Sequence, residues 1–410
     1  MTRKERSDRP LWQWSACEIV NATRQGEISC REVATATVER MRSVNPRLNA
    51  VTLDLGDAAL EAASDLDARR ARGEAPGLLF GVPVTIKDNV DVRGQRTPNG
   101  VAGLAELIAP DDSPVVKNLR DAGAVIVGRT NAPEFSMRAT TSNPLYGLTV
   151  NPWDARISCG GSSGGAGVAA AAGMCAIAHG TDIGGSIRFP ALHCGVAGLK
   201  PTPGRIPAHL PSAAAERPMI SSLMVAQGPL ARSVADLKLA LGPMSARDPR
   251  DPWWVPAPLE GEPVARRVGM VEALPGLPMA PSVAEAMRAA ARALERSGFR
   301  VEPVSPPDIE ASGELALRLL TTDMQRQILP AAKRLGSEQI LRYFDAWFAA
   351  VAPYADVGEY LDAIATRATL LREWLLLLER FPVILLPQRT GPLLEVDEDL
   401  RSAAHLRELL

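Results

Sequence analysis

Along the first 75 residues, apolar positions recur at helical spacing between charged ones, punctuated by helix-end signals. Residues 15–24 open on Ser15 with Glu18 three places later, a capping box, and stop at Gly26. Residues 29–41 repeat the device with Ser29 and Glu32 and end before Asn45-Pro46, and residues 58–72 are alanine-rich and charged at helical spacing. The rhythm then changes. Gly81-Val82-Pro83-Val84-Thr85-Ile86-Lys87 is a short β-branched run after a turn, which predicts a buried strand with a lysine at its end. Residues 114–121 read as a helix with proline at its first position, closed by Gly123, and 124–127 as a fully apolar strand.

Residues 140–159 are polar and turn-rich and read as a long loop, of the kind that is often functional. Small residues over 164–174 predict a tightly packed helix, 175–178 a short strand, and 186–192 the start of a helix bent at Pro190. Proline and glycine are then frequent to about Pro229, and no regular element is expected before a helix over 232–241. A proline-punctuated link, Asp248-Pro249-Arg250-Asp251-Pro252, leads into a β-α-β unit at 267–271, 282–296 and 299–304. Helices dominate 310–379, 383–386 is one more apolar strand, and 391–410 is charged without a strand signal. The alternation of helix and strand predicts an α/β sandwich.

Composition narrows the function classes. A net charge of -2 over 410 residues gives no support to a nucleic-acid or polybasic membrane role. The longest leucine-rich run, 370–378, contains Arg372 and Glu373 and is too short to span a bilayer. The charged N-terminus is followed by no apolar segment of a secretory signal. Five widely spaced cysteines without a C-x-x-C pair, and four histidines without ligand spacing, argue against a structural metal. Free thiols in a reducing, cytoplasmic setting are the simplest account. Arginine carries almost all the positive charge, so each of the few lysines, Lys87 among them, draws notice.

Two glycine-flanked serine sites concentrate the candidate chemistry: Gly160-Gly161-Ser162-Ser163-Gly164-Gly165 and Gly184-Gly185-Ser186, joined by a helix-sized run of small residues. Glycine on both sides lets the backbone turn tightly and lets a substrate approach. A serine hydroxyl needs a base. The string from Gly160 to Gly164 matches G-x-S-x-G, but a loop rather than a strand precedes it, and the one late histidine, His405, lies in the charged tail. His179 and His193 read as core residues. No phosphate-binding loop is present, and no lysine has a serine three places before it. Lys87 is the best remaining base, since burial would lower its pKa. Position alone leaves a surface lysine at a strand end equally open.

These motifs, taken together, resemble the amidase signature family. The resemblance rests on Gly160 to Gly165, on Asp182-Ile183-Gly184-Gly185-Ser186-Ile187-Arg188-Phe189-Pro190-Ala191, and on Gly198-Leu199-Lys200-Pro201-Thr202. Gly81-Val82-Pro83 leading to Lys87-Asp88-Asn89, Gly128 to Phe135, and Asn151-Pro152-Trp153-Asp154 belong to it as well. It implies a single-domain α/β/α sandwich with a mixed β-sheet core covered by helices: a helical arm over 1–75, a catalytic core over 76–240 and a C-terminal portion over 241–410. It also implies a catalytic triad of Lys87 as neutral base, Ser162 as relay after a cis bond, and Ser186 as nucleophile. Backbone N–H groups of Ile183, Gly184, Gly185 and Ser186 would form the oxyanion hole. Ser163 would support Lys87, and Asp182 and Arg188 would pair as a structural ion pair. No cofactor or metal is implied, the partner is a small-molecule amide, and a homodimer is left open.

The expected reaction is hydrolysis of an aliphatic or aryl carboxamide through an acyl-enzyme. Residues 130–149, 203–228 and 310–379 are expected to line the pocket, with Tyr146, Trp153, Phe344 and Phe348 facing an aryl or aliphatic amide. A glutamine-using transamidation subunit is the alternative within the family. Members of the family usually run on into further strands where this chain, after Leu386-Pro387-Gln388, soon stops. A shortened, inactive amidase-like binding protein is therefore the reading from a second class.

Overall fold

The computed structural model describes residues 9–409. Its strands, in chain order, are β1 (Val51–Asp54), β2 (Pro83–Lys87), β3 (Val125–Thr130), β4 (Ser142–Asn143), β5 (Gly147–Leu148), β6 (Ile177–Asp182), β7 (Ala197–Gly198), β8 (Ala226–Ala231), β9 (Arg267–Met270), β10 (Arg300–Pro303) and β11 (Val383–Leu385). Six of them form a mixed sheet in the order β1-β3-β2-β6-β8-β7. The central pairs β3–β2 and β2–β6 are parallel and the outer pairs antiparallel. Parallel pairing puts the carboxyl ends of β2 and β6, Lys87 and Asp182, along one edge, where ligands bind in α/β sheets.

Strands β2, β3 and β8 are buried at every position, as expected for a sheet covered on both faces. The period of two sorts their side chains. Val84 and Ile86 join one apolar cluster with Ile19, Val33, Leu119 and Met244. On the opposite face, Val125 and Val127 join a second cluster with Met41, Ala166 and Met174. Lys87, out of phase with Val84 and Ile86, therefore faces the small-residue helix Gly164–Ala171.

The helices Ala16–Gln25 and Cys30–Leu48 carry both expected capping boxes. The second does not stop before Asn45 but runs through Pro46 to Leu48. There Asn49 takes a left-handed conformation and Asn45 Oδ1 accepts from the N–H groups of Ala50 and Val51, turning the chain into β1. The strands β1 and β8 lie where none was expected. In β8 the pair Gly228-Pro229 reads as a turn signal. Its physical reason is close approach, since a Cβ on Gly228 would lie 2.0 Å from the carbonyl oxygen of Leu199. The helix expected over 164–174 ends earlier, and β6 runs on to Asp182 rather than stopping at Ala178.

The β-α-β unit forms a second, three-stranded parallel sheet, β10-β9-β11, rather than extending the first. The helices beyond Ile309 pack as a separate cluster around Ile340, Phe344, Trp347 and Leu406, the last from a short helix, Ala403–Leu409, that no sequence signal marked. Among the described residues no helix is long and apolar enough to cross a membrane, and no group of side chains has metal-ligating geometry.

Candidate active site

Lys87 ends β2 fully buried. Its Nζ lies 2.8 Å from Ser162 Oγ and 3.0 Å from Thr181 Oγ1. Loss of hydration lowers its pKa to about 7, against the raising effect of the Asp88 and Asp182 charges. Asp88, next to it, is itself pushed up to about 6 by burial, opposed by the charge of Arg129. The ammonium is thus close to balance with the free amine at neutral pH, and only the amine can accept a proton.

Ser162 follows a cis peptide bond from Gly161. Thr141 holds the loop on either side, its Oγ1 donating to the Gly160 carbonyl and accepting from Gly164 N–H. Ser163 does not touch Lys87 as expected. Its hydroxyl donates to the Thr181 carbonyl at 3.2 Å and accepts from Thr181 N–H at 3.3 Å, while its own N–H donates to Ser186 O at 3.1 Å. Ser163 thereby ties the two serine loops together, and the group beside Lys87 is Thr181.

Ser186 stands in the turn between β6 and the helix Arg188–Cys194. Gly185 precedes it with φ 121°, and a Cβ there would meet the Phe189 ring at 2.4 Å, so only glycine fits. Asp182 organises this turn. It accepts from the N–H groups of Gly185 and Ile187 at 2.9 and 3.0 Å and from Arg188 Nη2 and Nε at 2.8 and 3.0 Å. Burial pushes the Asp182 carboxyl up, but the Arg188 guanidinium and the two N–H groups outweigh it and hold it below the usual carboxylate range. Arg188 and Asp182 form the expected ion pair. Of the four N–H groups expected to form an oxyanion hole, that of Gly185 donates to Asp182. Within the described residues the N–H groups of Ile183, Gly184 and Ser186 have no partner.

Ser162, Thr181, Ile183 and Ser186 open onto one cavity of about 250 Å³. Residues 130–149 supply Phe135, Ser136 and Met137 to its wall, residues 203–228 supply Ala208, Leu210, Arg217, Ser221, Val225 and Gln227, and the later helices Leu320 and Ile328. None of the four aromatics expected there takes part. Trp153 is 74% exposed, and Phe344 and Phe348 pack in the C-terminal helical cluster, because apolarity reports burial but not direction. Tyr146 instead borders a small separate cavity with Arg129 and Asp88. A larger groove of about 370 Å³ around Asp323 and Tyr360 contains none of the serines.

Three polar residues of the cavity escaped the sequence reading. Asn89 Nδ2 donates to Thr181 Oγ1 at 3.2 Å and to Ser136 Oγ at 3.1 Å, continuing the chain of contacts from Lys87. Gln227 lies directly across the ladder from Thr181, and its Oε1 is 2.7 Å from His179 Nε2. Burial lowers the His179 pKa to about 4, so its ring is neutral. Strand phase offered no signal for these residues: the register pairs Thr85 with Ala178, which leaves His179 and Thr181 out of phase with Lys87. Cys159 and Cys194 are buried, and loss of hydration pushes both thiols up, Cys159 to about 12, far from a thiolate.

Two glycine-framed serines and a buried lysine thus stand at the carboxyl ends of the parallel strands of a helix-covered mixed sheet. A family model described as Amidase matches residues 32–407, and the chain belongs to that family. It is 50% identical to an indoleacetamide hydrolase of Bradyrhizobium diazoefficiens strain USDA 110, over 98% of this chain and 76% of that protein. It is 38% identical to a subunit of the glutamyl-tRNA(Gln) amidotransferase of Moorella thermoacetica, over 73% of this chain and 62% of that one. Among solved structures, a bacterial aryl acylamidase of the amidase signature family superposes with a TM-score of 0.79 at 28% identity, covering 94% of this chain and 82% of its own.

Proposed function

We propose that the chain hydrolyses a carboxamide, of the arylacetamide kind, to the carboxylic acid and ammonia or an amine through a Ser186 acyl-enzyme. The observation that carries this reading is the 2.8 Å contact between Lys87 Nζ, buried and close to neutral at pH 7, and Ser162 Oγ at the wall that also holds Ser186. The wider span and higher identity of the match to the indoleacetamide hydrolase favour small amides over transamidation.

Ser186 Oγ attacks the carbonyl carbon. Its proton passes to Ser162 Oγ as the Ser162 proton passes to Lys87 Nζ. The carbonyl oxygen takes up the electron pair against the N–H groups of Ile183, Gly184 and Ser186. The relay then runs backward: Lys87 returns its proton through Ser162 to the leaving nitrogen, which departs as ammonia or amine and not as an amide anion. Water repeats the cycle on the ester, releasing the acid and restoring all three side chains.

With phenylacetamide as substrate, Ser186→Ala is expected to lower kcat by about 10⁴-fold or more at unchanged unfolding midpoint. An activated phosphonyl fluoride is expected to label Ser186, read as a mass shift on the peptide containing it. Wild-type-like turnover by Ser186→Ala, or labelling at another serine, overturns the reading.

A further inference from the structure

The cavity wall carries one charge that the proposed hydrolysis does not use. Of the two charged lining residues, Asp182 is neutralised by Arg188. Arg217 is not neutralised. Its Nη2 donates to the Ala208 carbonyl, and among the described residues it makes no ion pair. Asp251 and Glu216 act on it only through space. Asp251 is already engaged, accepting from the N–H groups of Ala208 and Trp253 at 2.7 and 2.9 Å. Burial has stripped much of the water from the guanidinium and lowers its pKa. A cation held this way is costly unless something else faces it.

Most of the wall that shares the cavity with Arg217 is apolar: Val90, Phe135, Met137, Leu210, Leu320 and Ile328. A carboxylate would be paired by the guanidinium but stranded against these side chains. An aromatic ring suits both, since its edge and body pack on apolar groups while its negative face turns to the cation. We propose that Arg217 is a specificity-determining residue of the acyl pocket, selecting amides whose acyl group ends in an aromatic ring. The proposal rests on the amide-hydrolase reading for its choice of substrate class.

The test compares phenylacetamide with cyclohexylacetamide, similar in bulk but only one with a π face. Binding is measured by calorimetry on Ser186→Ala protein, and kcat/KM on protein with Ser186 intact. Each is repeated with Arg217, with Arg217→Lys and with Arg217→Gln, which keeps an N–H donor for Ala208 but no charge. With arginine, the phenyl compound is expected to be preferred roughly 3- to 30-fold. The preference shrinks with lysine and vanishes with glutamine. A preference that survives Arg217→Gln, a parallel loss for both amides, or tighter binding of succinamate than of phenylacetamide overturns the assignment. Arg217-dependent ring selectivity in binding without turnover would refute the hydrolase reading and keep the assignment. Equal turnover of both amides would do the reverse.

Discussion

The part of the chain up to β8 and the part from β9 onward are built on different terms. In the first, whole strands are buried and each charged side chain at the site is either paired, like Asp182, or desolvated, like Lys87. In the second, β10 and β11 have no buried position, and the helix Val357–Arg380 leaves large apolar side chains in the open. The second region reaches the cavity only through Leu320 and Ile328. Otherwise it clamps the walls from behind. Asp323 accepts from Ile220 N–H at 2.9 Å and Tyr360 Oη–H at 2.7 Å, Glu134 accepts from Ser337 N–H at 3.0 Å, and Asp399 accepts from Arg138 Nη2 at 2.7 Å and Ala139 N–H at 3.1 Å. The proposed chemistry thus belongs to one region and the shape of the pocket to both, so substitutions in the two should fail in different ways.

Lys87 gives the sharpest contrast and the largest expected effect. Lys87→Met should lower kcat roughly 10⁴- to 10⁶-fold, the range seen when one member of a catalytic unit is removed. With Lys87 present, the ammonium has no lone pair and cannot accept the Ser162 proton. Below a pKa of about 7 the neutral fraction falls tenfold per pH unit. The logarithm of kcat/KM should therefore climb with slope near one as pH rises toward about 7 and level off above it. A profile flat through that range would remove Lys87 as the base and erase the distinction between the regions.

The clamp at Arg138 should fail by stability instead. Its side chain and that of Asp399 are both 1% exposed, and Arg138 also reaches Asp397 at 2.6 Å. Arg138→Met leaves the Asp399 carboxylate buried without its partner, which costs about 3–5 kcal/mol in comparable pairs. Urea unfolding should show that loss as a lower midpoint at unchanged slope. In the surviving folded protein the upper plateau of the pH profile should fall much less than with Lys87→Met. Equal losses of activity from the two substitutions would mean that the C-terminal segment shapes the chemistry as well as the wall.

What could be read from the residues follows the same division. Lys87, Ser162 and Ser186 sit in local sequence that dictates its own conformation: a β-branched run, a glycine-rich loop, and a turn in which Gly185 alone fits. The pairing of Asp182 with Arg188, the residues that flank Ser186, was anticipated from the family resemblance. Thr181 and Gln227 were not legible, because each matters through a strand pairing, and the partner strand β8 is masked by Gly228-Pro229; Asn89 matters through side-chain contacts made from the turn after β2. Ser163 was assigned to the wrong neighbour for the same reason: adjacency to Ser162 says nothing about which way the next side chain turns. The split into two sheets was equally hidden, since a β-α-β pattern specifies a parallel pair and not the sheet it joins.

The smallest expected effect lies on the exposed face of the helix Val357–Arg380. Leu375 is 54% exposed, and its neighbours Leu371 and Leu376 are exposed with it. A leucine already in water gains almost nothing from staying apolar, and surface substitutions of this sort change stability by no more than about 0.5 kcal/mol. Leu375→Gln should therefore leave the unfolding midpoint, kcat and KM where they were. A loss above about 1.5 kcal/mol corresponds to a leucine fully withdrawn from water. That size of loss, dependent on protein concentration, would show this face buried in solution against another chain. The looseness of the second region would then reflect a covered surface and not a lesser role.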